Sequence, residues 1–508
     1  MKIINRIIIV AVLMVAGFAC TDLEEELKAD FTEGFEPNNQ GFGESENVNG
    51  SLPNDGLNAA YNRLRDGSAG HSSYFSVAEI STDEVVITQK GGDWFDGGIW
   101  LNMHKHDFRD TNPGLTNAWN NLYGGVTQCN DLIAAGGLSA DQTAQLRAVR
   151  AFFFLRLIDM FGNVKLTTVN GVDQAQATRA EAFAFIESEV LAAIPDLGVG
   201  RVYGRFNQSV AYSMLARLYL NAEVYAGTPR WQDAIDAADM VINSGLYDLD
   251  PEYANVFSPS NVDNIEHIYA IPYDEATGTG MNFAQMTLHY PSQLTYDLQQ
   301  QPWNGYSTLE EFYNSYDAAD VRRANNFIAG PQSDINGNPI LDVAFDPADP
   351  DGAAINYTPF INELAPSGSR QAGARMGKYS FKVGQLPEMD NDYTLFRYGE
   401  LLLVKAEAQS RLAGDWNVGI DLVNQVRTRA GMPAYTALTG EEFYAERGRE
   451  VFQESLRRTD MIRFDTWGNA WWEKPAHSDA FKNIMPIPLE QINASLNGDI
   501  ALIQNPGY

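Results

Sequence analysis

Apolar residues recur every three or four positions in several stretches of the chain, the spacing that places them on one face of an α-helix. The clearest stretch begins at Ser139 and Gln142, which have the spacing of a capping box, and ends at Gly162. Its apolar stripe consists of Leu146, Val149, Phe153, Leu157 and Met160. These signals predict one long amphipathic helix between the capping box and the glycine.

The same spacing predicts further helices on both sides of the middle of the chain. A second capping box, Thr178 and Glu181, opens a helix that Pro195 ends, and a third, Thr439 and Glu442, opens one near the C-terminus. The other stripes are Ala211, Leu215, Leu218, Tyr219 and Ala222; Trp231, Ile235, Ala238 and Val241; Leu401, Val404, Ala408 and Leu412; and Trp416, Ile420, Val423 and Arg427. The pattern therefore predicts a mainly α protein.

Two helix pairs, 209–244 and 396–430, resemble each other. In each, a helix rich in alanine and leucine precedes a short turn, and a tryptophan with an isoleucine four residues later (Trp231 and Ile235, Trp416 and Ile420) marks the second helix. This arrangement is typical of tetratricopeptide repeats, in which stacked pairs cover one another's apolar faces. We predict a tetratricopeptide-like superhelix built from an N-terminal helical part, 51–250, and a C-terminal helical part, 396–508.

Residues 251–395 have little helical periodicity and are rich in Asp, Asn, Gly, Pro and aromatic residues. A segment of this length inside a folded protein is seldom one structureless loop. We predict a loop-rich insertion that contains short strands and is carried by the helical scaffold. Binding residues are often placed on such loops.

The N-terminus has the pattern of an export signal. Lys2 and Arg6 precede an apolar run, 7–18, which is too short for a typical membrane span. The run ends at Ala19-Cys20, which resembles a bacterial lipobox. We therefore expect residues 1–19 to be a lipoprotein signal peptide, Cys20 to be lipidated, and 20–50 to be a polar, acidic tether.

The chain carries 66 acidic and 35 basic side chains, a formal net charge of −31 over 508 residues. Phosphate backbones and anionic lipid headgroups repel such a polyanion, which argues against nucleic acid as a partner. Neutral ligands, cations and basic partners remain compatible with this charge. Two cysteines, Cys20 and Cys129, cannot build a disulfide framework, and we expect Cys129 to be a buried free thiol.

Familiar catalytic motifs do not occur in the sequence: there is no Gly-x-Ser-x-Gly elbow, phosphate-binding loop or His-Glu-x-x-His. No third metal ligand accompanies His104 and His106 in the sequence. We therefore expect the two histidines to be an ordinary pair on the surface or on a strand, without a metal. The cluster Asp346, Asp349 and Asp351 departs from the EF-hand spacing, which favours an acidic turn over a calcium loop. We expect no cofactor and no catalytic metal, with structural calcium only a weak alternative.

Five ordered segments resemble signatures of the SusD/RagB family. They are Arg150-Ala151-Phe152-Phe153-Phe154-Leu155-Arg156 through Val164, Arg397-Tyr398-Gly399-Glu400 through Ala408, Asn424 through Gly431, Glu446-Arg447 through Phe464, and Met485-Pro486-Ile487-Pro488 to Tyr508. The acidic residues after Cys20 likewise resemble the surface-export signal of Bacteroidetes lipoproteins, although a plain solvated tether gives the same pattern.

The resemblance implies a lipid-anchored outer-membrane protein that captures an oligosaccharide for a SusC-like TonB-dependent transporter. It implies no enzymatic activity. We expect Arg397, Glu400, Glu407, Arg447 and Arg463 to form buried or interhelical ion pairs rather than ligand contacts.

Two loops are the candidate glycan site, because sugar rings stack on aromatic faces and sugar hydroxyls need polar partners. The first is the glycine-flanked segment 91–100, where Trp94 and Trp100 offer rings and Asp93 and Asp96 offer acceptors. The second lies in the insertion, between residues 290 and 306. Its candidates are Tyr290, Tyr296, Trp303 and Tyr306, with Arg375 as a possible hydroxyl donor.

Two alternatives remain open. A tetratricopeptide-type surface adaptor would bind a peptide or protein on the concave helical face and would not need the aromatic loops. A surface polysaccharide hydrolase would use a carboxylate pair, which so acidic a sequence neither identifies nor excludes. The sequence does not name the glycan or its linkages.

Overall fold

The computed structural model describes residues 52–53, 55–343, 352–498 and 500–508. The predicted signal peptide, Cys20 and the tether lie outside these residues, as do Asp346, Asp349 and Asp351. The first helix begins directly after Leu57, which is buried.

The helices account for most of the regular structure in the described part of the chain. They are α1 Asn58–Arg65, α2 Tyr74–Ile80, α3 Ile99–His104, α4 Pro113–Ala135, α5 Ala140–Phe161, α6 Arg179–Ala193, α7 Gln208–Leu220, α8 Ala222–Ala226, α9 Trp231–Ile242, α10 Phe283–Thr287, α11 Gln293–Tyr296, α12 Glu310–Asn314, α13 Val321–Asn326, α14 Tyr398–Ala413, α15 Ile420–Arg429, α16 Gly440–Val451, α17 Arg457–Arg463 and α18 Leu489–Ser495. The predicted mainly α class is confirmed.

The three predicted capping boxes are present. In each, the Ser or Thr side chain accepts from the backbone N–H three residues later, and the Gln or Glu side chain accepts from the cap residue's own N–H. Gly162 and Gly414 end α5 and α14, as predicted. Trp416 differs from the prediction, since it opens a short 3₁₀ turn and α15 begins only at Ile420.

The helices α4 to α7, α9 and α14 to α16 form a stack of neighbouring helices. Helix α9 packs against α7, which precedes it, and against α14, from which it is separated by the 155 residues 243–397. The chain therefore leaves the stack after α9, builds the insertion and returns beside the helix that it left. This arrangement confirms the predicted superhelix, whereas the boundaries at 250 and 395 stay a prediction.

Helix α4 was missed by the sequence analysis although it spans 23 residues. The pair Gly124-Gly125 in its middle interrupts the apolar pattern and lowers helix propensity. The structure gives the reason for the second glycine. A Cβ on Gly125 would lie 2.3 Å from the ring of Phe153 on α5, so the two helices approach closely only because this side chain is absent.

We expect Gly125→Ala to lower the free energy of unfolding by about 1–3 kcal/mol, because the added methyl overpacks the contact with Phe153. Gly124→Ala is the matched control: the nearest atoms to its Cβ belong to the Arg63 side chain at 3.8 Å. The control gains up to about 1 kcal/mol of helix propensity. Urea denaturation measures both, and equal midpoints for the two variants would contradict the packing argument.

The strands are short and pair in twos. They are β1 Val85–Ile87, β2 Val164–Lys165, β3 Gln176–Ala177, β4 His267–Ile271, β5 Tyr306–Thr308, β6 Phe327–Ile328, β7 Gly330–Pro331, β8 Asn356–Tyr357, β9 Arg375–Met376 and β10 Tyr393–Arg397. Antiparallel β4 and β10 join the beginning and the end of the insertion. Most of these strands lie in the insertion, as predicted.

One pairing positions the candidate site. Strand β1 runs antiparallel to β5, with Ile87 opposite Tyr306. The end of β1 therefore lies beside the beginning of β5. The loop that follows β1 carries Trp94, and the loop that precedes β5 carries Trp303, so both loops emerge at the same end of this two-stranded sheet.

The expected ion pairs are present and buried. Arg397 contacts Glu266, Glu450 and Glu454, and Arg447 contacts Glu400 and Asp460. Glu407 is paired with Arg463 from α17 and with Arg411 from its own helix. The charged residues in the family-like segments are therefore scaffold, as predicted.

In the described part of the chain, no helix has the length and apolarity that crossing a membrane requires.

Candidate aromatic binding site

The first tryptophan loop is held in a tight turn. Lys90 and Asp93 exchange backbone hydrogen bonds, and the next residue, Trp94, has a φ of 60°. A left-handed conformation is unusual for a bulky residue and is maintained only where the surroundings fix it. The indole N–H of Trp94 donates to the carbonyl of Trp303, with 2.7 Å between the atoms, which fixes the ring against the second loop.

The second tryptophan loop is fixed by main-chain hydrogen bonds to α10 and the residue after it. The N–H groups of Trp303, Asn304 and Gly305 donate to the carbonyls of Gln285, Leu288 and Met286, respectively. The buried Lys90 ammonium donates to the Gly305 carbonyl at 3.2 Å. Both loops are thus rigidly connected, and this favours a pre-organised surface.

His71 lies at the centre of the aromatic side chains of both loops. Its ring centroid is 5.3 Å from that of Trp94 and 6.1 Å from that of Trp303. Its Nδ1 atom lies 2.7 Å from the Tyr306 hydroxyl, which lies 2.7 Å from Ser76 Oγ. Burial lowers the pKa of His71 to about 4, so the imidazole is neutral at pH 7. We call His71, Trp94, Trp303 and Tyr306 the aromatic cluster.

Trp94 and Trp303 are both half-buried, so neither residue is sealed in the core. Asp93 and Asp96 are exposed on either side of Trp94. The Tyr290 hydroxyl donates to the Asp93 carboxylate and so links the rims of the two loops. The predicted residues Trp94, Trp303, Asp93 and Tyr290 therefore lie in one exposed patch.

A polar cavity of about 300 Å³ adjoins the aromatic cluster through His71, which lines it. The other side chains at its wall include Arg65, Asp66, Asn117, Asn121 and Asn282. The Oδ1 atom of Asn282 is buried and accepts no hydrogen bond from the residues that the structure describes. A donor on a ligand or a water is the partner that this oxygen lacks.

Three predicted ligand residues are too buried to touch a ligand in this structure, and the sequence analysis was wrong about them. Trp100 is 1% exposed: it lies in α3, and its indole N–H donates to Asp96 at 3.2 Å. Tyr306 is 0% exposed because β5 points it under His71. Arg375 is 0% exposed and binds the carbonyls of Arg370 and Ala372.

Arg375 nevertheless affects the site. Its Nη2 donates to Asn304 Oδ1 at 2.9 Å, and Asn304 has a φ of 57° between Trp303 and Gly305. Tyr296 is half-buried on α11 and packs against Phe381, 5.5 Å away, rather than against the aromatic cluster. Its role as a ligand contact stays a prediction.

Sequence reasoning missed two residues of this patch. Phe95 is 50% exposed beside Trp94, and only its glycine-flanked loop pointed to exposure. His71 precedes α2, far from both loops in sequence, and no pattern linked it to them. The cluster around His71 results from tertiary packing, which single-sequence periodicity does not report.

Replacing Gly305 with alanine should displace Trp94, because a Cβ there would lie 2.4 Å from the indole. We expect Gly305→Ala to change the near-ultraviolet circular dichroism of the tryptophans and to lower the free energy of unfolding by about 1–3 kcal/mol. Gly92→Ala, with no atom within 4 Å of its Cβ, should change neither. A wild-type spectrum for Gly305→Ala would show that Trp94 is not seated there.

The histidine pair is not on a surface strand, contrary to the expectation. His104 ends α3 and His106 follows it, and both are fully buried. The ring nitrogens of His106 contact the Ser81 carbonyl and His477, and its ring lies 4.2 Å from that of Trp467.

Cys129 is a buried free thiol, as expected. No three His, Cys, Asp or Glu side chains among the described residues are grouped as metal ligands.

Comparison with known proteins finds SusD and SusD-like proteins as relatives. The SusD family profile matches residues 387–508. The starch-binding protein SusD of Bacteroides thetaiotaomicron is 26% identical over 411 residues, which cover 72% of this chain and 73% of that protein. A SusD-like protein of Formosa agariphila is 24% identical over 456 residues, with 82% and 85% covered.

Solved structures give the same result for the fold. Surface glycan-binding protein A from Bacteroides thetaiotaomicron, in complex with laminarihexaose, has a TM-score of 0.70 at 22% identity. The alignment covers 89% of this chain and 98% of that chain. Residues 387–508 therefore match the SusD family profile, and over most of its length the chain is similar to SusD and a SusD-like protein in sequence and to a surface glycan-binding protein in fold.

Proposed function

We propose that the protein binds an oligosaccharide at the cell surface and presents it to a SusC-like TonB-dependent transporter for import. The observation that carries this proposal is the joint position of Trp94 and Trp303. Both residues are half-buried, the Trp94 indole and the Trp303 backbone are fixed by hydrogen bonds, and both rings pack around His71, which lines a polar cavity.

The physical chemistry of the patch fits a sugar chain. Rigid indole rings offer apolar faces at low entropic cost, and sugar C–H faces can stack on them. The carboxylates of Asp93 and Asp96 and the amide oxygen of Asn282 are acceptors for hydroxyl groups. Because both loops are already held in place, little ordering is needed on binding, and this favours capture with modest but useful affinity.

The relatives support the same role. SusD is a starch-binding protein, and surface glycan-binding protein A was solved with laminarihexaose. Their names describe binding rather than catalysis, and this supports a non-enzymatic function here. We further propose that Cys20 is the lipid-anchored residue, which would hold the protein on the outer membrane beside its transporter.

The two alternatives predict different binding surfaces. A peptide-binding adaptor would use the concave helical face, so deleting residues 280–306 would leave its binding intact. A hydrolase would release reducing sugar from a polysaccharide. The half-exposed, pre-organised tryptophans favour a glycan over a peptide on the helices, since the adaptor gives these rings no role.

The test is a titration of soluble protein, beginning at Thr21, with neutral hexasaccharides of different linkage. Laminarihexaose, maltohexaose, mannohexaose and xylohexaose are suitable, with isothermal titration calorimetry as the readout and a reducing-sugar assay in parallel. We expect binding of at least one hexasaccharide without release of reducing sugar. Binding of none, or hydrolysis of any of the four, would overturn the proposed function.

A further inference from the structure

We propose that the binding site selects neutral glycans and rejects uronic-acid and sulfated chains. This inference rests on the proposed function and adds the chemical class of the ligand. It depends on the charges and hydrogen-bonding groups that the aromatic cluster and its two loops present to solvent.

Neither loop supplies an exposed cation to the site. Residues 91–104 and 279–320 contain no lysine or arginine. Lys90, at the base of the first loop, is buried, and its ammonium donates to the carbonyls of Thr88 and Gly305. It therefore stabilises the loops from below and does not reach a ligand.

The exposed charges on the rim are carboxylates. Asp93 receives the Tyr290 hydroxyl on Oδ2, and Asp96 receives the Trp100 indole N–H on Oδ2. In each residue the other carboxylate oxygen, Oδ1, is left for a donor. A sugar hydroxyl can supply that donor, whereas the carboxylate group of a uronate and a sulfate group offer only acceptors.

The polar cavity does not reverse the preference for neutral over anionic glycans. Its cation, Arg65, donates from Nε to the Pro272 carbonyl and from Nη1 to Asn62. The neighbouring Asp66 also lines the cavity and adds a carboxylate there, which is paired with Arg63 at 2.9 Å. The unpaired Asn282 Oδ1 is one more acceptor that requires a donor from the ligand.

An anionic ligand would therefore place its charges next to Asp93 and Asp96 without a compensating donor. Specificity arises from such unfavourable contacts as much as from attractive ones. The net charge of −31 adds a long-range repulsion that is strongest at low ionic strength. We expect anionic chains to bind at least about tenfold more weakly than neutral chains at 20 mM NaCl.

The experiment compares hexamers of equal length by calorimetry at 20 and 200 mM NaCl. The four neutral hexasaccharides named above form one set, and hexamers of oligogalacturonate, alginate and chondroitin sulfate form the other. We expect neutral binding to be independent of salt. Anionic binding should be absent or at least tenfold weaker at 20 mM and should strengthen at 200 mM.

The double variant Asp93→Asn and Asp96→Asn keeps an acceptor oxygen at each position but removes both charges. The ratio of neutral to anionic affinity should fall at least threefold, because anionic hexamers are relieved of the repulsion and neutral hexamers are not. The control, Asp236→Asn with Asp421→Asn, changes the net charge equally on the outer helices α9 and α15 and should leave the ratio unchanged.

The outcomes separate this inference from the proposed function. When at least one neutral hexamer binds, an anionic hexamer that binds more tightly, or an unchanged ratio of neutral to anionic affinity in the Asp93 and Asp96 variant, overturns the charge selection while glycan binding stands. Binding of no neutral hexamer overturns both.

Discussion

Arg397→Met is expected to destabilise the protein by about 3–5 kcal/mol, the range for removing one partner of a buried charge network. Arg397 is buried, and its guanidinium contacts Glu266 and Glu450 at 2.8 and 2.7 Å and Glu454 at 2.8 Å. Methionine fills similar space but leaves these carboxylates with less compensation. The large effect follows from the cost of a buried unpaired charge.

Because of the position of Arg397, its replacement should affect more than one part of the fold. The residue ends β10 and immediately precedes α14, where the chain rejoins the helical stack. Glu266 lies at the beginning of the insertion, next to β4, while Glu450 belongs to α16. One guanidinium therefore connects the insertion, the strand pair at its base and the C-terminal helices.

Urea denaturation measures this effect, and Arg109→Met is the matched control. Arg109 forms an exposed pair with Asp107 at 2.7 Å, with both side chains more than half exposed. Such pairs contribute at most about 1 kcal/mol. If Arg397→Met moved the denaturation midpoint no further than the control does, the network would not be holding the insertion.

Two buried carboxylates, Glu446 and Glu407, determine the sign of the acid dependence of stability. Burial alone would raise the pKa of Glu446, but Arg322 and Arg449 outweigh burial and lower it to about 2. Burial opposes the lowering at Glu407 too, where Arg463 and Arg411 bring the pKa to about 2. Since the unfolded value is near 4.5, these carboxylates stabilise the fold above pH 4.5, and this contribution is lost as pH falls toward 2.

Trp94→Ala combined with Trp303→Ala is expected to abolish most glycan binding. If each indole contributes about 1–2 kcal/mol, the two together weaken binding by about 30- to 800-fold. The loss would arise from the stacking faces, since both rings are half-exposed in the same patch. It would also include the hydrogen bond from the Trp94 indole to the Trp303 carbonyl.

Two further variants make this result interpretable. Trp94→Phe keeps a stacking face but loses the indole N–H, so it should retain more affinity than Trp94→Ala. Trp472→Ala removes a half-buried tryptophan that packs near His104, outside the site, and should leave affinity unchanged. Calorimetry against the tightest neutral hexasaccharide measures all of them, and an unchanged affinity in the double variant would rule out this patch.

The sequence predicted the scaffold well where local signals were strong. Capping boxes begin α5, α6 and α16, and glycines end α5 and α14, because these signals act within a few residues of one another. Helix α4 was missed because two glycines interrupt its apolar pattern. The second, Gly125, is needed for the close approach of Phe153. The family-like arginines and glutamates were assigned correctly, since charged residues on otherwise apolar helices commonly pair across helices.

The site was only partly predictable. Trp94 and Trp303 were expected to share a patch, and the pairing of β1 with β5 places their loops together. Trp100 and Tyr306 lie in regular elements that turn them inward, and a loop-like sequence context did not reveal this. Which ring in an aromatic loop faces solvent depends on contacts such as that of His71, which join distant segments.

A crystal structure of the complex with the tightest-binding neutral hexasaccharide is the most direct examination of the aromatic cluster. We predict sugar rings lying on the exposed faces of Trp94 and Trp303, with ring carbons about 4 Å from the indoles and hydroxyls donating to Asp93 or Asp96. A hexasaccharide bound on the helical stack, with both indoles uncovered, would contradict the assignment.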